Sequence, residues 1–143
     1  MRDKKPYAEQ PRLIQMMLEI RRVNNQITRL EDSARRLESQ KYRCTSNLSG
    51  MPRGGQKQDI CDINYELDEL SSKITDLRQQ LTGMLCMLDT DPDADRLTAD
   101  EYSALKHKYI YDMTHEAIAE TMHVSVTTVS RAVNGGYDKL MRA

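Results

Sequence analysis

Thr114-His-Glu-Ala-Ile-Ala-Glu-Thr-Met-His-Val-Ser-Val-Thr-Thr-Val-Ser-Arg131 is the stretch that decides the fold of the C-terminal third of the chain. Thr114 and Ser125 can each cap the N-terminus of a helix, because a hydroxyl there accepts a hydrogen bond from a free backbone N–H group. Apolar residues recur on one face of each helix at helical spacing, namely Ile118, Ala119, Met122, Val129 and Val133. Two short helices with facing apolar sides and a tight turn between them make a helix-turn-helix, an arrangement that binds DNA.

The second of these helices is left with one polar face. Its side chains are small or hydroxylated apart from one guanidinium, and no acid lies among them: Val126, Thr127, Thr128, Ser130 and Arg131. Such a face suits the reading of base edges, and Arg131 is long enough to reach a guanine. We predict base contacts from Val126, Thr127 and Arg131. We predict phosphate contacts from Ser125, Thr128, Ser130 and Lys139, the first of them at the positive end of the helix dipole.

Residues 124–135 resemble the helix-turn-helix of the lac-repressor family, in which Val126, Thr127 and Arg131 would fall on base-contacting positions. That family carries its motif at the N-terminus, whereas here the motif lies near the C-terminus. The layout is more similar to region 4 of sigma-70-type factors and to the small phage regulators that borrow it, through residues 97–101, Leu105, 109–114 and 118–119. In both, a further helix precedes the helix-turn-helix. His123 stands where the turn usually has Gly, a residue that readily takes positive φ.

A second resemblance lies in Leu48-Ser-Gly-Met-Pro-Arg-Gly-Gly55. This segment is similar to a loop in a family of phage and Gram-positive bacterial proteins, which resemble in plan the ArpU- and RinA-like phage late-gene regulators. The resemblances imply a phage- or prophage-encoded regulator of transcription. Double-stranded DNA would be its partner, and host RNA polymerase a further one.

Two long helices are predicted upstream of the helix-turn-helix. Apolar residues recur three and four residues apart from Leu13 to Leu48, interrupted by Lys41, and again from Ile60 to Leu88. This is the heptad pattern of a coiled coil. Residues 49–56 carry glycines and a proline that exclude helix, so the chain should fold back there. In an antiparallel hairpin centred on Pro52, the heptad positions from Met16 to Cys44 face those from Leu88 to Ile60, and all of these pairs are apolar except the pair of Lys41 with Ile63.

The open end of this hairpin has a wider apolar face, to which Ile14, Met17, Leu85 and Met87 contribute. Such a face needs cover from the C-terminal helices or from a second copy. The acidic run at residues 89–95 contains Pro92 and predicts a linker that stops the helix. Thr98 and Glu101 then form a capping box at the start of the next helix, which would bury Tyr102, Leu105 and Tyr109. We call the second helix of the helix-turn-helix the reading helix. Near the end of the chain, Gly135 and Gly136 are expected to end or kink this helix.

Composition limits the alternatives. The 143 residues include no Phe or Trp, 38% are hydrophobic and 30% are charged, which favours thin helical packing. The net charge is −1, but residues 11–48 hold eight Lys/Arg against four acids and residues 57–91 hold three against eight. No apolar run is long enough for a membrane helix and no export signal follows the N-terminus, so we expect a cytoplasmic protein. The spacing of the three cysteines does not indicate zinc.

The sequence therefore predicts an all-α protein with a long antiparallel coiled-coil hairpin followed by a small trihelical helix-turn-helix domain. Its parts would be a frayed N-terminus at 1–10, the hairpin at 11–90 with its loop at 49–56, an acidic linker at 91–97 and the DNA-binding domain at 98–143. No catalytic motif, cofactor, metal site or small-molecule ligand is indicated, and a homodimer is an option. The competing interpretation is a helical interaction module that binds RNA polymerase or a sigma factor, or that serves in phage DNA packaging.

Overall fold

The computed structural model describes residues 10–47 and 54–142, with side chains described for 10–43 and 60–142. These residues form an all-helical fold without strands, which confirms the predicted fold class. The helices are α1 (Arg12–Asn47), α2 (Gly54–Asp89), α3 (Pro92–Asp95), α4 (Ala99–Tyr109), α5 (His115–Met122) and α6 (Val126–Met141). Two compact units can be separated. One holds the described residues up to Arg22 together with those from Thr82 onward, and the other holds Val23–Leu81. In the described part of the chain, no helix is long and apolar enough to span a membrane.

In its described residues, the Val23–Leu81 unit consists of α1 from Val23 onward and of α2 up to Leu81. The apolar heptad positions of this unit are shielded wherever their side chains are described: Val23, Ile27 and Ile63 are buried, and the other described ones are half-buried. Arg78 of α2 donates to Glu31 of α1 across 2.7 Å. The heptad spacing thus correctly identified the apolar side of each helix, while the coiled-coil geometry stays a prediction.

The predicted loop at 49–56 lies partly outside the described residues. Helix α2 begins at Gly54, so Gly54 and Gly55, which we expected in the loop, form its first turn. Residues 1–9, for which we predicted a frayed segment, also lie outside the described residues.

The other unit is built around α4, α5 and α6. Its largest fully buried side chains come from these helices, from the N-terminal part of α1 and from the C-terminal part of α2: Leu13, Ile14, Met17, Ile20, Leu88, Leu105, Ile118, Val129 and Val133. Ile14 and Met17 therefore receive the cover that the sequence called for, within the same chain. Met87, which we placed on the same apolar face, stays 65% exposed.

The acidic linker contains more structure than the sequence indicated. Asp91 is buried and caps α3, where its carboxylate accepts the backbone N–H of Asp93. Both carboxylate oxygens of Asp91 also accept hydrogen bonds from the Arg12 guanidinium, at 2.9 and 2.7 Å. Pro92 takes the first position of α3, where its missing N–H costs nothing. An ion pair, in which one guanidinium nitrogen contacts both carboxylate oxygens, therefore connects the linker to the start of α1.

The Gly135–Gly136 pair does not end the reading helix, since α6 continues to Met141. A Cβ atom on Gly136 would lie 2.9 Å from Cδ1 of Leu105 and 3.3 Å from Cβ of Glu101. The two glycines instead leave room for α4 to approach the backbone of α6. Our expectation of a helix end here was wrong because glycine at a helix crossing serves close packing as readily as termination; the alternative, a kink, stays a prediction.

Candidate nucleic-acid interface

The turn between α5 and α6 is held by side-chain caps at both helix N-termini. The Thr114 hydroxyl accepts the N–H of Ala117, and the Ser125 hydroxyl accepts the N–H of Thr128. His123 ends α5 in the left-handed conformation, with φ 59° and ψ 43°. The N–H of Val124 then donates to the carbonyl of Ala119 across 3.0 Å. Both predicted caps are confirmed, and His123 adopts the positive φ for which glycine is the usual residue.

The apolar sides of α5 and α6 are buried as the spacing predicted. Ile118 and Ala119 of α5 are buried, as are Val129 and Val133 of α6, while Met122 and Val124 are half-buried. Burial of this side fixes the rotation of α6 about its own axis. The opposite side of its first two turns is consequently turned toward solvent.

That exposed side carries most of the predicted DNA-contacting residues. Val126 is 41% exposed, and Ser125, Thr127, Thr128 and Arg131 are exposed as well. The first turn of α6 contains no acid. Because unpaired N–H groups give a helix N-terminus a partial positive charge, this end of α6 is suited to an anionic partner.

Three of the hydroxyls already have partners within the chain. The Ser125 and Thr128 hydroxyls lie 2.8 Å apart, so one donates to the other. The Ser130 hydroxyl is half-buried and lies 3.2 Å from Nδ1 of His115, at the start of α5. Ser130 therefore joins the two helices of the motif, while Ser125 and Thr128 present a coupled hydroxyl pair at the surface.

Lys139 lies apart from this group, twelve residues beyond Thr127 and so about 18 Å further along α6. Its ammonium donates to Oε1 of Glu101 across 2.7 Å, and its carbonyl accepts a hydrogen bond from Arg96. The structure thus brings together six of the seven predicted residues and places Lys139 on the side of α6 that meets α4.

Glu101 is the residue that sequence reasoning underestimated. It forms the predicted capping box with Thr98, but its carboxylate is also largely buried and receives the Lys139 ammonium. Burial by itself raises the pKa of this carboxyl, but the hydrogen bonds from Lys139 and from Thr98 outweigh it, so the pKa is lowered from its ordinary value. The capping box and Gly135–Gly136 are visible in the sequence, but only the fold shows that they meet.

A second polar link joins the start of α4 to the end of α2. The hydroxyl of Tyr102 donates to Asp89 across 2.5 Å, and Lys106 lies 3.8 Å from the same carboxylate. Burial, followed by the hydrogen bond to Asp89, raises the pKa of the Tyr102 hydroxyl, because ionisation would place two anions together. Tyr102 therefore serves the packing of α4. No group of three or more His, Cys, Asp or Glu among the described residues is arranged to hold a metal ion.

Comparison with known families agrees with this geometry. Residues 94–140 match the family model of sigma-70, region 4, a span that contains α4, α5 and α6 except for the last residue of α6. Comparisons with curated proteins and with solved structures returned no match. The C-terminal helices are therefore similar to sigma-70, region 4, and their helix-turn-helix is of the region 4-like type.

Proposed function

We propose that this protein is a sequence-specific DNA-binding regulator of transcription that inserts the first two turns of α6 into the major groove. The observation that carries the proposal is the exposed side of those turns, which has small side chains, hydroxyls and Arg131 but no acid. A helix that docks on a protein would usually expose large apolar or aromatic residues there. The match to sigma-70, region 4 supports the same reading.

Within this proposal, Val126, Thr127 and Arg131 contact bases. Val126 offers an apolar surface for a thymine methyl group, and Arg131 offers a two-pronged donor for the edge of a guanine. Ser125 and Thr128 contact phosphates at the N-terminus of α6, where one of their two hydroxyl protons is not used between them. Ser130 assists from its position beside His115. Lys139, which is 44% exposed, reaches a phosphate by exchanging its Glu101 partner for it.

We further propose that the chain is phage or prophage encoded and acts in the cytoplasm. The sequence similarity of residues 48–55 to a phage protein loop supports the first point. Region 4-like modules are associated with RNA polymerase as well as with DNA, so host polymerase is the second proposed partner. A homodimer would present two reading helices to a symmetric site.

The experiment is selection of bound fragments from random DNA, followed by affinity measurements on the enriched site. Arg131→Ala should weaken binding to that site by about 1–3 kcal/mol and relax the preference at one base pair. Arg142→Ala is the matched control, because it removes the same charge from an exposed position at the far end of α6. It should lower the affinity for all sequences alike. Equal affinity and unchanged base preference in the Arg131 variant would overturn the assignment.

The interaction-module interpretation makes the opposite prediction. It expects no enriched DNA sequence, together with co-purification of RNA polymerase or a sigma factor that Arg131→Ala abolishes. The symmetry of the selected sites adds a second distinction. Two-fold symmetric sites indicate that the helix-turn-helix units of two copies bind as a pair, and asymmetric promoter-like sites indicate a sigma-like role on polymerase.

A further inference from the structure

The two long sides of the Val23–Leu81 unit differ. On one side, the ion pair between Glu31 and Arg78 crosses from α1 to α2. On the other side, two adjoining open grooves run between the helices and share Lys73 in their walls. We call this second side the groove face. Its floor is formed by Leu30, Leu37, Leu70 and Leu77, all half-buried.

The walls of the groove face are polarised by charge. The α1 wall carries Arg29 and Arg36 and has no acid, while the α2 wall carries Glu66, Glu69 and Asp76 with Lys73. Arg29 and Asp76 line the same groove, and Arg36 and Glu69 line the next one. Each arginine therefore has an acid on the opposite wall at the same position along the helix axes. Within the described part of the chain, Arg29, Arg36, Glu69 and Asp76 are exposed and form no ion pair with one another or with other residues.

This arrangement is complementary to a copy of itself. Consider a second groove face laid on the first by a two-fold axis parallel to the helices. Helix α1 of each copy then lies over α2 of the other. The rotation does not change the position of any residue along the helix axes. Arg29 therefore meets the partner copy's acid at position 76, and Arg36 meets the one at position 69. A two-fold axis across the helices would instead place α1 on α1 and set arginine against arginine.

We propose that the groove face is a dimer interface, through which two copies of the chain form a four-helix bundle with the two-fold axis parallel to the helices. Eight half-buried leucines from the two floors would leave water, and the ion pairs would fix the register. The arrangement brings both open ends of the hairpins to the same end of the bundle. The inference concerns assembly and does not depend on DNA binding.

The test is analytical ultracentrifugation over about a hundredfold range of protein concentration, because association follows mass action. The wild type should show a concentration-dependent monomer–dimer equilibrium. Arg29→Glu with Arg36→Glu sets acid against acid, and Glu69→Arg with Asp76→Arg sets base against base. Each should weaken dimerisation by about tenfold or more, because like charges that face each other across an interface repel. Circular dichroism verifies that both variants remain helical.

Mixing the two variants provides the decisive result. One variant has acids at positions 29, 36, 69 and 76, and the other has arginines there, so the mixture should form a heterodimer although neither variant dimerises well alone. Mixing the Arg29/Arg36 variant with wild type should give no preferred heterodimer. A two-fold axis across the helices would give one, because it would place the acidic α1 of the variant on the basic α1 of the wild type. The matched control is Glu31→Arg with Arg78→Glu, which reverses an ion pair on the other side and should leave dimerisation unchanged.

Three results would overturn the proposal. The first is a wild type that stays monomeric at every concentration, which would leave the groove face to a different partner. The second is dimerisation that survives both charge reversals. The third is a mixture of the two variants that fails to associate. Because all readouts are hydrodynamic, a failure of DNA binding would not be mistaken for any of them.

Discussion

His123→Gly tests whether the turn of the helix-turn-helix is strained by a non-glycine residue. His123 has φ 59° and its side chain is exposed. The left-handed conformation costs a non-glycine residue about 1–2 kcal/mol, with His among the better tolerated types. Glycine removes this cost but gives the unfolded chain more conformational freedom, which returns about 0.4–1 kcal/mol. We therefore expect a net stabilisation of about 0.5–1 kcal/mol, since the exposed imidazole contributes few contacts.

The assay is urea unfolding followed by circular dichroism, in which the midpoint should rise without a change of slope. His123→Ala is the control, because alanine keeps the left-handed cost and should match the wild type or fall slightly below it. Asp112 offers an internal comparison: it also has positive φ, at 53°, but its carboxylate pairs with Arg21 across 2.7 Å. Asp112→Gly should be close to neutral, since it relieves the backbone and removes an exposed ion pair worth up to about 1 kcal/mol. The reasoning is refuted if His123→Gly is no more stable than His123→Ala.

Two further predictions concern the contact between α4 and α6. Because the pKa of Glu101 is lowered, its contribution to stability is present at neutral pH and is lost as the pH falls through its ordinary value of 4.5 and below. Glu101→Gln should therefore lower the urea midpoint at pH 7, and the midpoint of the variant should fall less than that of the wild type as the pH is lowered. The same dependence of the midpoint on pH in both proteins would contradict the ion pair with Lys139. Gly136→Ala should destabilise the fold by up to about 2 kcal/mol, since overpacking against Leu105 exceeds the gain in helix propensity. Gly135→Ala should be milder, because its new Cβ meets a single atom, Oε2 of Glu101, at 3.0 Å; equal effects of the two substitutions in urea unfolding would contradict this packing.

The sequence predicted local features well because they depend on neighbours along the chain. The caps Thr98, Thr114 and Ser125 each need only an N–H group two or three residues away, and each was confirmed. Apolar spacing likewise identified the buried sides of the long helices and of α5 and α6. The exposed side of α6 follows from the same periodicity, so most of the candidate site was visible before the fold was known.

The features that the sequence did not reveal all depend on contacts between distant segments. Asp91 was interpreted as part of an acidic linker, but it is buried and pairs with Arg12, seventy-nine positions away. Gly136 was interpreted as a helix breaker because nothing nearby in the chain indicates that Leu105 approaches it. Lys139 was assigned to phosphate from its charge and its position after the reading helix, and its pairing with Glu101 could not be deduced without the crossing of α4 and α6.

The small number of cations on α6 has a consequence for affinity. Arg131 and Arg142 are exposed, while Lys139 must first leave Glu101, so α6 of one copy offers about three cationic contacts to DNA at most. Each phosphate contact contributes about −0.9 to the slope of log K against log salt concentration, so binding through α6 of one copy should give a slope of about −3, and binding through α6 of two copies about twice that. The Arg29→Glu, Arg36→Glu variant leaves the helix-turn-helix intact. It should halve the wild-type slope if dimerisation through the groove face supplies the second helix-turn-helix. An unchanged slope would mean that each helix-turn-helix binds DNA independently and that affinity must come from another partner, for which RNA polymerase is the proposed candidate.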